Sequence, residues 1–212
     1  MRDRVKNLTH KRKWQIGALS LIAISALTLN KCAASSQSTT QEAQTLISHL
    51  DMVLYAANQY AIDNGEVLPI TSDTDPAFGY LDIDRLIKNP GLDTWKGPYL
   101  SYSDTWLGGE QYIGHPEYLA TQLLAKEKGS EWVRGSTPEG CSSTSEACSI
   151  AACIWIVPLE VAQEINTMID GVKSQESSDA TGMIRYDKAL YGGIVCKVGA
   201  SIRLVSPLTI SR

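Results

Sequence analysis

Between Leu19 and Asn64 the chain runs for 46 residues with neither a glycine nor a proline. A continuous helix of that length would be roughly 70 Å long at 1.5 Å rise per residue. In a chain of 212 residues this leaves room for one ordinary domain with a helical extension, not two full domains. The second half of the run carries an amphipathic stripe, Ala43, Leu46, Ile47, Leu50, Leu54, Ala57 and Ala61, spaced by threes and fours as a one-sided helix requires. Gly65 comes next as a stop signal. The first half is different: from Trp14 to Leu29 no residue is charged, so a helix there would be apolar all round and would need lipid or other subunits around it. Ser35 to Thr40, rich in Ser, Thr and Gln, is a stretch of modest helix propensity where the rod can bend.

Charge sorts the chain in the same direction. Met1 to Lys13 holds six Lys or Arg against Asp3 alone, whereas the remainder has 13 basic and 22 acidic residues. A basic start before an apolar run suits a leader retained on the cytoplasmic side of a membrane. The acidic remainder repels phosphate, so no nucleic-acid partner is expected. Three fates of the apolar run are weighed: an export signal cut after Ala34, a membrane anchor, or a segment that keeps working after processing. Lys31 before Cys32 disfavours a lipoprotein signal, which needs a small residue there.

Downstream of the rod, Pro, Gly and Asp punctuate a loop-rich stretch. "YLDIDRLIKNPG" predicts a short helix with Leu81, Ile83, Leu86 and Ile87 inward, closed by Pro90 and Gly91. "HPEYLATQLLAKEKG" predicts another helix from near Pro116 to Gly129. A linker is expected from Ser130 to Ser149, and a helix opened by Pro158 and closed by Gly171, with Val161, Ile165, Met168 and Ile169 inward. "TGMIRY", "GGIVCKV" and "SIRLVS" read as short strands with turns at Gly192-Gly193 and Gly199-Ala200. The fold class expected is α+β: a long N-terminal helix packed on a small antiparallel sheet, with a loop-rich, disulfide-braced head. The organisation expected is a basic leader over 1–18, an apolar helix segment over 19–40, and a head over 41–212 that includes an amphipathic helix over 41–64.

Of the five cysteines, Cys32 borders the apolar run, and Cys141, Cys148, Cys153 and Cys196 lie in the last third. Export favours disulfides among these four, with three pairings open. No C-x-x-C pair favours zinc. His10, His49 and His115 stand in no catalytic spacing, and no triad, phosphate loop or dinucleotide fingerprint is present. No enzyme activity, cofactor or metal centre is therefore expected. Asp73, Asp75, Asp82 and Asp84 are weighed as calcium ligands and read as solvated loop charges, for want of an EF-hand pattern. Trp95, Pro98 and Tyr99 in "TWKGPYLSY" predict a rigid aromatic turn anchoring the loop against the long helix, with a ligand platform as the alternative.

Taken in order, these segments resemble a type IV pilin-like protein and are most similar to the minor pseudopilins of type II secretion systems. Ala18 to Ser25, "ALSLIAIS", resembles the prepilin leader junction. "WKGPYL" (Trp95 to Leu100) and "SDTW" (Ser103 to Trp106) resemble two pseudopilin loop elements. "VPLEVAQEINTMIDG" together with "TGMIRY" resembles the late segment that precedes a final cysteine, here Cys196. The resemblance implies leader cleavage at Gly17, Ala18 or Leu19 by prepilin peptidase and a home in the bacterial inner membrane with the head in the periplasm, or outside the cell in an assembled filament. Implied partners are other pilin or pseudopilin subunits, the inner-membrane assembly platform, and membrane lipid before assembly. Ala23, or Ile22 in the shifted register, stands where the family carries a glutamate in the mature helix; the resemblance then implies poor incorporation or a place at the filament tip, with tip and shaft both left open. The function implied is a non-enzymatic structural subunit of a pilus or pseudopilus. The alternative is a secreted or membrane-anchored binding module of the cell envelope.

Overall fold

A computed structural model describes residues 38–71, 78–127, 140–141, 148–171, 182–189 and 192–202. The leader, the apolar run and the cleavage residues Gly17, Ala18 and Leu19 lie outside the described residues, as do Asp73 and Asp75. By its contacts the chain divides into Met1–Glu42 and a compact unit, Ala43–Arg212; the second holds the sheet and its core. Among the described residues no helix is long and apolar enough to cross a membrane.

Helix α1 is described over 38–64. Its buried face is Ala43, Leu46, Leu50, Val53, Ala56, Ala57 and Tyr60, with Ile47 and Leu54 flanking. The seam thus runs one row over from the expected stripe at its C-terminal end: Val53 and Tyr60 are buried and Ala61 is only half-buried. Gly65, at φ 70°, closes the helix by donating its N–H to the Ala61 carbonyl at 2.9 Å, a left-handed cap that glycine adopts without strain.

Four strands make up the rest of the framework: β1 (Ala120–Glu127), β2 (Cys148–Val157), β3 (Ile184–Ala189) and β4 (Gly192–Ile202), with helix α2 (Leu159–Asp170) between β2 and β3. They form one antiparallel sheet in the order β1-β2-β4-β3. Side chains alternate across it. Leu123, Ala125, Ile150, Ala152, Ile154, Ile184 and Val195 join the α1 and α2 residues in the main core, while Leu124, Ala151, Cys153 and Cys196 form a second cluster with Tyr80 and Ile194. The α+β fold, a long helix on a four-stranded antiparallel sheet, is as expected.

Several local expectations are overturned. The helix expected from Pro116 to Gly129 is strand β1 instead. Its Ala, Leu, Gln and Lys favour a helix weakly, and eight-residue pairing with β2 overrides that preference. The strand is buried at all but its last residue, so it lacks the alternation that marks a half-exposed strand. The expected linker ends early, because Cys148 and Ser149 already belong to β2. The expected turn at Gly199-Ala200 lies within the continuous β4. There Gly199 serves packing: a Cβ would stand 2.7 Å from Leu54 Cδ2, so its absence lets α1 lie close to β4. The helix in "YLDIDRLIKNPG" is one 3-10 turn, Ile83–Leu86. Met168, expected inward, is exposed, whereas Val161 and Ile165 are buried as expected.

Edge strands need protection from further pairing, and β1 is covered by loops. Leu81 donates to the Leu123 carbonyl (3.0 Å), Ala125 to the Gly79 carbonyl (2.7 Å), Cys141 to the Ala125 carbonyl (2.9 Å), and Ile113 and Thr121 exchange both hydrogen bonds. At the other end of the sheet, Asp170 at the end of α2 accepts from the backbone N–H groups of Met183 (2.9 Å) and Ile184 (2.8 Å), fixing where β3 begins.

Leu50 is fully buried, so Leu50→Ala is expected to cost about 3 kcal/mol in chemical denaturation, against under about 0.5 kcal/mol for Met52→Ala on the outer face. Asp170→Ala removes the acceptor for two N–H groups and is expected to cost about 1–3 kcal/mol in the same assay.

Candidate functional site: the helix face and the loops that dock on it

The four cysteines expected to pair do so as Cys141–Cys148 and Cys153–Cys196. The first joins the segment paired with β1 to the start of β2. The second links residues directly opposite each other on β2 and β4, with Cα atoms 4.0 Å apart.

The aromatic loop lies against the end of α1. The Trp95 indole N–H donates to the Arg85 carbonyl at 2.8 Å. Tyr99 meets the rings of Tyr60 and Trp95 edge-on at 5.9 and 5.7 Å, and its hydroxyl accepts from the Lys96 N–H and the Asn64 amide. Asn64 also accepts from the Thr94 hydroxyl at 2.8 Å. Pro98 is joined to Gly97 through a cis bond and is exposed. A Cβ on Gly97 would fall inside the Trp95 indole, so the loop has this shape only with glycine there. Asp82 and Asp84 serve intramolecular pairs: Asp82 accepts from Arg85 at 2.7 Å, and Asp84 from Lys88 at 3.2 Å. Burial raises the Asp82 carboxyl above its ordinary range, opposed by the Arg85 hydrogen bond. Among the described residues no group of three or more His, Cys, Asp or Glu could hold a metal ion.

The outward face of α1 is unusual in composition. Gln44, Ser48, Asp51, Met52, Tyr55, Asn58 and Ile62 are exposed. From Ala43 to Asn64 the only carboxylates are Asp51 and Asp63, and both are engaged inside the molecule, by Lys197 at 2.6 Å and Lys96 at 3.0 Å. Met52, Tyr55 and Ile62, spaced three and seven residues apart, stand 40, 65 and 63% exposed. Few charges with Met and aromatic side chains is the composition of the centre of a protein interface. Sequence periodicity finds the buried stripe and overlooks this face, because a helix needs only one apolar side to pack. A loop tip adds Trp106, 83% exposed, held by Lys88 to Asp104 at 2.6 Å and by Gly114 N–H to the Ser103 carbonyl at 2.8 Å.

Two histidines that sequence spacing leaves apart are in contact. His49 Nδ1 on α1 lies 3.0 Å from His115 Nε2, and Tyr102 meets both rings edge-on. His115 Nδ1 accepts from the backbone N–H groups of Glu117 and Tyr118, both at 3.1 Å. Burial, then the His49 ring, pushes the His115 pKa down to about 4. Burial, then the Glu117 charge, pushes the Tyr102 hydroxyl up to about 12.

The chain matches no family model, and no curated protein or solved structure is significantly similar to it. The fold by itself therefore speaks for a helix-on-sheet architecture braced by two disulfides.

Gly97→Ala is expected to displace the Trp95 ring into water. The check is a red shift of tryptophan emission in the folded protein, absent in an Asp93→Ala control, an exposed side chain of the same loop.

Proposed function

We propose that the protein is a non-enzymatic structural subunit, a minor pilin or pseudopilin, that assembles with like subunits through its N-terminal helix. The observation that carries the reading is the arrangement of α1: one face fills the core of the head, while the other offers Met52, Tyr55 and Ile62 with both neighbouring carboxylates already neutralised. A helix used only to support its own domain has no need of that second face, which charged residues usually occupy. The apolar run of Trp14 to Leu29 leads into the same stretch free of glycine and proline, so the reading gives one continuous role to both halves. Further support comes from where the resembling motifs sit. "WKGPYL" docks on the end of α1, the Asp170-Gly171 step holds the start of β3, and Cys196 closes the disulfide to β2.

On this reading the head folds in the periplasm, the leader is removed by prepilin peptidase, and the assembly platform draws the helix from lipid into a bundle of equivalent helices. A second reading, an envelope binding module, draws on exposed Trp106 at its pinned loop tip. The two differ in which surface meets a partner.

Beside a photo-crosslinking amino acid at Trp106, one at Tyr55 or Ile62, introduced into the full chain in the source cell, tests the choice. The subunit reading predicts adducts with other pilin-like subunits from these positions and a mature N-terminus at Ala18 or Leu19 by mass spectrometry. Adducts from Trp106 alone, with an N-terminus at Ser35, would instead support the binding module.

A further inference from the structure

We propose that the His49–His115 contact is a proton-operated latch that loosens helix α1 from the turn entering β1 when the surroundings acidify. The latch is a matter of where hydrogens can sit, and it stands apart from the proposed function. His115 Nδ1 accepts two backbone N–H groups, from Glu117 and Tyr118, and so carries no proton. A neutral imidazole must then hold its proton on Nε2. That N–H points at His49 Nδ1, 3.0 Å away, which must accept and is itself bare.

Only one proton therefore fits between the two rings, and neither ring can gain another without loss. If His49 takes a proton from solvent at Nδ1, two N–H groups face each other across the contact. If His115 takes one at Nδ1, the Glu117 and Tyr118 amides lose their acceptor. Either event cuts α1 from the turn or undoes the turn. Among the described residues, two tyrosines lie against the rings. From the loop, the Tyr102 ring stands nearly perpendicular to both imidazoles, and its buried hydroxyl has no hydrogen-bond partner among the described residues. From the turn, the Tyr118 ring lies 5.3 Å from His115, and the Glu117 charge acts on Tyr102. On α1, Asp51 is taken by Lys197. His115 itself is 8% exposed, and its depressed pKa has burial and then His49 as causes, with no carboxylate among the described residues contributing.

Linkage fixes the direction of the pH effect. A histidine whose folded pKa of about 4 lies below the unfolded value of about 6.5 stabilises the fold fully above about pH 6.5, and that contribution is lost as pH falls toward about 4. The test uses the full-length protein. Ring-proton NMR is expected to place the His115 midpoint at or below about pH 5, with the Glu117 and Tyr118 amides exchanging faster as it titrates. Denaturation is expected to show the folding equilibrium constant falling about twentyfold between about pH 7 and about pH 5. In a His49→Gln, His115→Asn double variant, Asn still accepts from the turn amides as an Asx side chain and neither position titrates, so most of that fall should vanish. A His115 midpoint near 6.5 in the wild-type protein, or a double variant that weakens with acid as the wild type does, overturns the proposal. Should the double variant not fold, the wild-type ring titration decides alone.

Discussion

Removing one apolar row of α1 from water, against the inner face of the sheet, is the interaction on which the rest of this fold rests. Leu46, Leu50, Val53 and Tyr60 have no exposed surface, and they share one core with Leu123, Ala152, Ile154 and Val195. Each such side chain is worth about 1.5–3 kcal/mol in burial, the scale of a domain's whole net stability when several act together. The close approach of helix and sheet sets other residues in turn. Gly199 is bare because Leu54 must come close, and Lys197 can turn toward the helix because Asp51 meets it.

A sheet with helices on one face still has to finish its edges and ends, and this chain does so with loops in place of further strands. Backbone groups from Gly79, Leu81, Ile113 and Cys141 satisfy the outer edge of β1. The Cys141–Cys148 bridge holds that covering segment to β2, and Cys153–Cys196 ties the two central strands. Loop residues with few aliphatic neighbours are anchored by aromatic ones, Trp95 and Tyr99 at the end of α1 and Tyr102 beside the histidines. Disulfides and aromatic anchors compensate where long connections contribute little core.

Features set by local chemistry are legible in the sequence. The helix stop at Gly65 and the helix after Pro158 arise from residues that act on their immediate neighbours, the β-prone pieces near the end of the chain from their own composition, and the four cysteines from their export context. What escapes depends on partners far along the chain. β1 reads as a helix because Ala, Leu, Gln and Lys state a helical preference that only β2, some 30 residues on, overrules. The opening of β2, Cys148 and Ser149, reads as the end of a Ser-rich linker because only its partners β1 and β4 make it a strand. The pairing of His49 with His115 spans 66 residues, beyond the reach of any spacing rule. The outward face of α1 escapes for another reason: three apolar residues among polar ones look ordinary until burial shows that they are exposed and that the nearby carboxylates are spoken for.

Helix α1 is thus an integral wall of the head and not an appendage laid upon it. Amide hydrogen exchange on the intact protein tests this most directly. Amides between Leu46 and Tyr60 are predicted to exchange only through the same global opening that releases β2 and β4, with equal free energies. Exchange of those helix amides orders of magnitude faster, while the central strands remain protected, would contradict it.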